Sequence, residues 1–191
     1  MARKSKGKPI HGWIVIDKPG GKTSAHIVAI VKQLLRAEKA GHGGTLDPIA
    51  TGVLPIALGE ATKTVSYVMD STKRYRFSVV WGEARDTDDC EGRIYKTSEV
   101  RPTQAEINGV LPEFIGDVQQ QPPNYSAIKI GGKRAYELAR SGDAIDIPPR
   151  LVHIDHIQLI DVADRNQAIF EVVCGKGTYC LLYTSDAADE R

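Results

Sequence analysis

Lys73-Arg74-Tyr75-Arg76-Phe77-Ser78-Val79-Val80-Trp81 is the stretch that decides the fold. Tyr75, Phe77, Val79 and Trp81 fall on every second position, with Arg76, Ser78 and Val80 between them. A period of two sends successive side chains to opposite faces, so this segment reads as a strand with one buried face. Toward the N-terminus, Gly12-Trp13-Ile14-Val15-Ile16-Asp17 is short, β-branched and closed by Pro19-Gly20-Gly21, a strand running into a turn. Thr23 or Ser24 then caps a helix whose Ile27, Ile30, Val31, Leu34 and Leu35 recur at three and four residues. Gly41 to Gly44 break that pattern, Gly52 to Leu58 is a short apolar segment, and Ala61 to Met69 reads as a second helix packing through Val65 and Val68. Toward the C-terminus, Thr103 and Glu106 have the spacing of a capping box before Ile107, Val110 and Leu111. A loop rich in Gln and Pro, Gln119 to Pro123, leads to a strand-like Ala127 to Ile130 and a short helix near Ala135 to Arg140. Two further strands are expected around Leu151 to Val162 and Ala168 to Cys174. Strands and helices mix without a strict βαβ rhythm, which predicts an α+β fold with a mixed, largely antiparallel sheet flanked by helices.

The 191 residues carry 25 Lys plus Arg against 24 Asp plus Glu, a formal net charge of +1. That length suits one domain, or one with a small appendage, and can bury a real core. With 41% hydrophobic and 26% charged residues, the composition excludes a disordered polyelectrolyte. No run of about 18 apolar residues occurs, so no membrane span is expected. The opening residues 1 to 8 are basic and lack the apolar core of a signal peptide. Cys90, Cys174 and Cys180 are too few and too scattered for a disulfide framework or a thiolate metal cage, so a cytoplasmic setting is expected.

Near-zero net charge leaves the distribution of charge to decide about partners. Arg3, Lys4, Lys6 and Lys8 form a basic N-terminal arm over residues 1–9, and Lys73, Arg74 and Arg76 form a second cluster. Lys129, Lys133, Arg134 and Arg140 stand against Glu137 alone, whereas acids gather at Glu83, Asp86, Asp88, Asp89 and Glu91. Segregated signs allow a basic face for phosphate backbones on a neutral protein; a set of solvated surface lysines is the alternative.

Several familiar sites fail on spacing. Gly20-Gly21-Lys22-Thr23 resembles the end of a P-loop, but the glycine required at position 16 is Ile16. Asp86-Thr87-Asp88-Asp89-Cys90-Glu91-Gly92 puts Glu91 where a calcium loop needs its sixth-position glycine, so it reads as a solvated acidic turn. His153 and His156 lie on a strand without zinc-spaced companions. No metal and no cofactor are expected.

The most informative segment is Gly41-His42-Gly43-Gly44-Thr45-Leu46-Asp47-Pro48, continuing through Gly52 to Pro55. Glycines around one histidine let the backbone approach a ligand closely. Pro48 biases Asp47 toward extended dihedrals, so its carboxylate is held by a stiff turn. A preorganised carboxylate acts as nucleophile or base while it stays ionised; an Asx-type turn bonding backbone amides is the alternative.

With Asp17-Lys18-Pro19, Thr23-Ser24, Gly59-Glu60-Ala61-Thr62-Lys63, Lys73-Arg74-Tyr75, Asp86-Thr87-Asp88, Pro123-Asn124-Tyr125-Ser126-Ala127-Ile128-Lys129, Arg134-Ala135-Tyr136-Glu137 and Gly177-Thr178-Tyr179 standing in order, the chain resembles the TruB family of tRNA pseudouridine synthases over residues 10–179. The resemblance implies the pseudouridine synthase fold in one catalytic domain, and isomerisation of the T-loop uridine at position 55 of tRNA. It implies that Asp47 is the catalytic aspartate that attacks or deprotonates the target ribose, so that the base detaches, rotates and rejoins through carbon. Tyr75 corresponds to the aromatic residue stacked on the flipped base, Tyr179 to the tyrosine that removes the proton from the new linkage, and His42 to a histidine contacting the target nucleotide. Lys18 lies in a motif at the active-site floor, as a substrate contact or a structural lysine. An extruded base needs an aromatic platform and basic phosphate contacts, which Tyr75 beside Lys73 and Arg74 supplies, with Lys129 added further along. The expected partner is the tRNA T-arm, bound by a stand-alone monomer of the bacterial type.

Beyond Tyr179 the family continues with an isoleucine and an arginine that pairs with the aspartate, whereas here Cys180 and Leu181 follow. Residues 180–191 resemble nothing in the family, which suggests a truncated or chimeric chain. The alternative function is accordingly a catalytically impaired RNA-binding fragment of such an enzyme.

Overall fold

The computed structural model describes residues 7–87, 89–123, 129–135 and 147–179. The chain divides into two compact units, Met1–Ser71 and Thr72–Arg191. The expected strand residues 127–128 and helical residues 136–140 lie outside the described residues.

In the first unit, β1 (Gly12–Lys18), β2 (Ala40–His42) and β3 (Gly52–Leu58) form an antiparallel sheet in the order β1-β3-β2. β1 and β3 pair along their whole length, from Gly12 opposite Leu58 to Lys18 opposite Gly52. The helix α1 (Ser24–Leu35) begins where the Thr23 hydroxyl accepts the His26 amide at 3.1 Å, and it ends with Arg36 in the left-handed region at φ 52°. Its apolar stripe, through Ile27 and Val31, packs on Leu54, Ile56 and Leu58 of β3, with Ile14 and Ile16 of β1 joining them. Burying such side chains contributes about 1.5–3 kcal/mol each, which holds helix to sheet. Lys8 donates its amide to Arg36 O and accepts from Glu38 N, so the end of the basic arm is tied to the exit of α1.

One segment without an expected element gains a strand here, and one expectation needs correction. The Gly41 to Gly44 break contains strand, because Gly41 and His42 complete β2 opposite Ala57 and Ile56. The helix expected over Ala61 to Met69 is a 3₁₀ segment, Gly59–Thr64, followed by the short α2 (Val65–Asp70). Glycine at position 59, with φ 54°, turns the chain out of β3 where a Cβ would stand 2.4 Å from Ile10 O.

The second unit carries β4 (Lys73–Val80), β5 (Glu83–Arg85), β6 (Ile94–Thr97), α3 (Gln104–Val110), β7 (Gly116–Gln120), β8 (Lys129–Ile130), β9 (Lys133–Arg134), β10 (Arg150–Asp164) and β11 (Gln167–Cys174). A four-stranded antiparallel sheet runs β4-β11-β10-β7, beside the β5-β6 and β8-β9 hairpins. The period of two in β4 is realised: Phe77 and Val79 face a core with Phe170 and Ala168, and Phe77 stacks on Phe170 at 5.6 Å between ring centroids. Thr103 and Glu106 make both bonds of a capping box at the start of α3, which lays Ile107 into the same core. Gln119 and Gln120 are not loop: they end β7, opposite Leu151 and Arg150 of β10. A five-residue strand with only Val118 as a large apolar residue leaves no periodic signal, and its pairing with β10 is what makes it a strand. The fold is α+β with antiparallel sheets.

Candidate functional site

Asp47 sits at the surface on a turn whose backbone is anchored on both sides. On one side, the Ser24 hydroxyl accepts the Leu46 amide at 2.9 Å and donates to the Leu46 carbonyl at 3.0 Å. On the other, Pro48 O accepts Lys18 Nζ at 3.2 Å and the Gly21 amide at 2.8 Å. Asp47 O itself accepts the Ala50 amide at 3.1 Å. Ser24 and Lys18 are 1% and 0% exposed, so these bonds are shielded from competing water. Asp47 is thus an exposed residue on a fixed backbone.

Lys18 ends β1 and directs its ammonium inward to the carbonyls of Pro19, Lys22 and Pro48, at 3.0, 2.7 and 3.2 Å. An ammonium has three donors, and three carbonyls occupy them. These bonds tie the end of β1 to the segments around Lys22 and Pro48. Ser24 escaped notice in the sequence as a site residue because it reads as a cap; its seat at the first turn of α1, with the hydroxyl aimed at Leu46, supplies the missing half of the anchor.

His42 closes β2 and is half-buried, with Nδ1 inaccessible and without a hydrogen-bond partner among the described residues. Gly43 follows it at a close approach, since a Cβ there would stand 2.9 Å from Val68 Cγ1. The glycine thus lets β2 lie against α2, and the chain leaves toward Asp47 from that point. Lys18, His42 and Asp47 all belong to the first unit.

Tyr75 and Tyr179 belong to the second unit. Tyr75 is half-buried on β4, packed against the cluster of Ile154, Ile157, Val172 and Cys174. Tyr179 follows β11, its backbone bonded by the Gln120 side chain and its ring 5.0 Å from the Arg150 guanidinium carbon. Neither Gln120 nor Arg150 stood out in the sequence, because nothing local connects them to Tyr179.

The basic cluster is partly engaged within the protein. Arg74 bonds Glu171 at 2.8 Å and Arg76 lies 3.6 Å from the same carboxylate, with arginine side chains 68% and 64% exposed over an 11% exposed Glu171. Their guanidinium groups keep one face to solvent while Glu171 offsets one of the two charges. Lys73 begins β4 and Lys129 begins β8, opposite Arg134. The acidic segment is a turn between β5 and β6, with Asp86 accepting the Arg93 amide and Asp89 accepting the Glu91 amide. No group of His, Cys, Asp or Glu among the described residues has the arrangement of a metal site. Among the same residues, no helix is long and apolar enough to cross a membrane.

The family model described as TruB family pseudouridylate synthase (N terminal domain) matches residues 32–180. The chain is 56% identical over 181 residues to the tRNA pseudouridine synthase B of Bartonella henselae, which covers 94% of this chain and 57% of that protein. It is 58% identical over 179 residues to the tRNA pseudouridine synthase B of Bradyrhizobium diazoefficiens, covering 94% of this chain and 52% of that one. The chain thus spans little more than half the length of these curated relatives. Among solved structures, a chain of a Cbf5-Nop10-Gar1 complex superposes with a TM-score of 0.67 at 30% identity, over 92% of this chain and 44% of that chain. A chain from an H/ACA RNP bound to a substrate RNA containing 2'-deoxyuridine gives 0.64 at 27% identity, over 92% and 42%.

Proposed function

The chain belongs to the TruB family of pseudouridylate synthases, and from that membership we propose that it carries the catalytic residues for converting the T-loop uridine of tRNA, position 55, to pseudouridine. The observation that carries this reading is the doubly anchored turn at Asp47, clamped through Leu46 and Pro48 by Ser24 and Lys18. A surface carboxylate on a preorganised backbone is what an attack on a ribose, or removal of its proton, requires.

The reaction is an isomerisation. The bond from the ribose to the base nitrogen breaks, the base rotates, and a bond to a base carbon forms. That carbon's proton is lost and the freed nitrogen gains one, so the sum needs no redox cofactor. Asp47 acts on the ribose, Tyr75 offers its ring to the extruded base, Tyr179 takes the carbon-bound proton, and His42 contacts the nucleotide. Extruding a base from a folded loop costs a few kcal/mol, which stacking on an aromatic ring and phosphate contacts offset. Lys73, Arg74 and Lys129 supply those contacts. Residues 10–179 work as the catalytic part, binding the tRNA T-arm as a monomer in the cytoplasm.

The test is conversion of uridine in a tRNA transcript by the parent and by Asp47→Asn. The amide keeps the shape of the carboxylate but can neither attack as an anion nor take a proton. Whatever pseudouridine the parent forms, the variant should form none while retaining its affinity for tRNA. Turnover by Asp47→Asn would move the chemistry elsewhere. A parent that binds tRNA without converting it would leave an RNA-binding fragment.

A further inference from the structure

We propose that Gln120 and Arg150 are positioning residues that together set the place of Tyr179, an inference that rests on the reading of Tyr179 as the proton-removing tyrosine. The two lie directly opposite each other at the last rung of the β7–β10 ladder. Both point to the core face, since Gln120 alternates with Val118 on β7 and Arg150 with the buried Val152 and Ile154 on β10. After Cys174 the chain crosses the end of that sheet, with the Gly175 amide donating to His153 O at 2.8 Å. Tyr179 arrives at the Gln120/Arg150 rung.

Gln120 holds the backbone of Tyr179 at two points. Its Oε1 accepts the Tyr179 amide at 2.8 Å and its Nε2 donates to the Tyr179 carbonyl at 2.9 Å. This is the pairing a neighbouring strand would make, supplied by one side chain that is 6% exposed. A buried glutamine with donor and acceptor both engaged on one residue leaves that residue little freedom to shift.

Arg150 holds the ring and the approach to it. Its Nη2 donates to Gly177 O, and its guanidinium carbon is 5.0 Å from the Tyr179 ring centroid, within range of a cation–π attraction. Its Nε is buried without a partner among the described residues, so the head group is partly desolvated and that attraction is strengthened. Gly177 has φ 83°, and a Cβ on it would meet Arg150 Nη2 at 3.2 Å. A glycine there keeps both the turn and the arginine in place. A proton acceptor displaced by about 1 Å loses much of its rate, up to about a hundredfold, which is why a tyrosine near a chain crossing needs such support.

The experiment uses the full chain and three variants. Gln120→Met keeps the volume and removes both hydrogen bonds; Arg150→Lys keeps the charge and loses the planar fork; Gly177→Ala pushes on Arg150 from the opposite side. Amide hydrogen exchange is read at Tyr179, with Val172 and Cys174 as reporters of the sheet. Pseudouridine formation is split into kcat and KM for tRNA. Gln120→Met should speed exchange at Tyr179 at least about tenfold with Val172 and Cys174 unchanged, and should lower kcat about 10- to 100-fold with KM held. The other two should move kcat the same way by less. Unchanged exchange at Tyr179 in Gln120→Met, or unchanged kcat in an active parent, overturns the proposal. A parent that converts no uridine counts against the function proposed above, and the exchange measurement then decides the positioning by itself.

Discussion

Ser24 shows how much one hydroxyl does for a residue it does not touch in sequence. It gives and receives a hydrogen bond at Leu46, 22 positions away, and so fixes the backbone immediately before Asp47. Ser24→Ala removes the partner of the Leu46 amide and carbonyl, which are half-buried, at a cost of up to about 1–3 kcal/mol for such a group. We expect a lower urea midpoint and, on the proposed role of Asp47, a lower rate of uridine conversion, with tRNA affinity little changed, because the turn loosens while the basic residues stay. A variant with wild-type stability and rate would show that Lys18 and Pro48 suffice. Lys18 is the harder residue to replace. An apolar side chain there would take the shared donor from the carbonyls of Pro19, Lys22 and Pro48 together, leaving Pro48 O with the Gly21 amide.

At the scale of elements, α3 is seven residues long and depends on its start. The Thr103 hydroxyl accepts the Glu106 amide, and the Glu106 carboxylate accepts the Thr103 amide at 2.7 Å. That backbone bond, followed by the one from the Thr103 hydroxyl, holds the Glu106 carboxyl below its ordinary range. Thr103→Ala should lower stability by about 1 kcal/mol, measured by denaturant unfolding. The β7–β10 pair carries a second charge-dependent contact, with His153 opposite Asp117 and their side chains 2.7 Å apart. The hydrogen bond to Asp117 raises the His153 pKa, and the nearby charges of Asp117 and Asp155 add to it. A raised histidine contributes stability that is present below its unfolded value and fades as pH rises through the folded one. Asp117→Asn should therefore lower the His153 midpoint in an NMR titration. Its effect on the melting temperature should be greater near pH ~5.5 than near pH ~8, and an equal effect at both would rule the pair out as a contributor.

For the molecule as a whole, net charge says little and placement says more. A protein at +1 still binds a phosphate backbone if its cations face one way. Glu171 governs that balance on β4, since it holds Arg74 directly and faces Arg76. Arg74→Ala should flatten the dependence of tRNA affinity on salt by about one phosphate contact, and Glu171→Gln should steepen it by about as much. The measurement is the slope of log affinity against log salt for parent and variants. Identical slopes in all three would show that this face does not meet RNA.

Local chemistry made much of this legible from the residues alone. The β-branched run of β1, the alternation in β4, the stripe of α1 and the capping box of α3 all follow from backbone geometry within a few positions. Motifs in order made the family legible as well, and the matched family model agrees with them. What the sequence left open are the pairs that only register creates. Gln119 and Gln120 looked like loop, because a short polar strand has no period of its own until β10 lies beside it. Arg74 looked like a plain phosphate ligand, because its carboxylate partner Glu171 stands 97 positions away. Lys18 gave no sign in the sequence of its bond to Pro48, 30 positions on. Gln120 reaches Tyr179 across 59 positions. Periodicity is set by the rise and turn of the backbone and is written in every short window. A hydrogen bond between distant residues depends on which strands become neighbours and in what register, and that is decided only when the cores close.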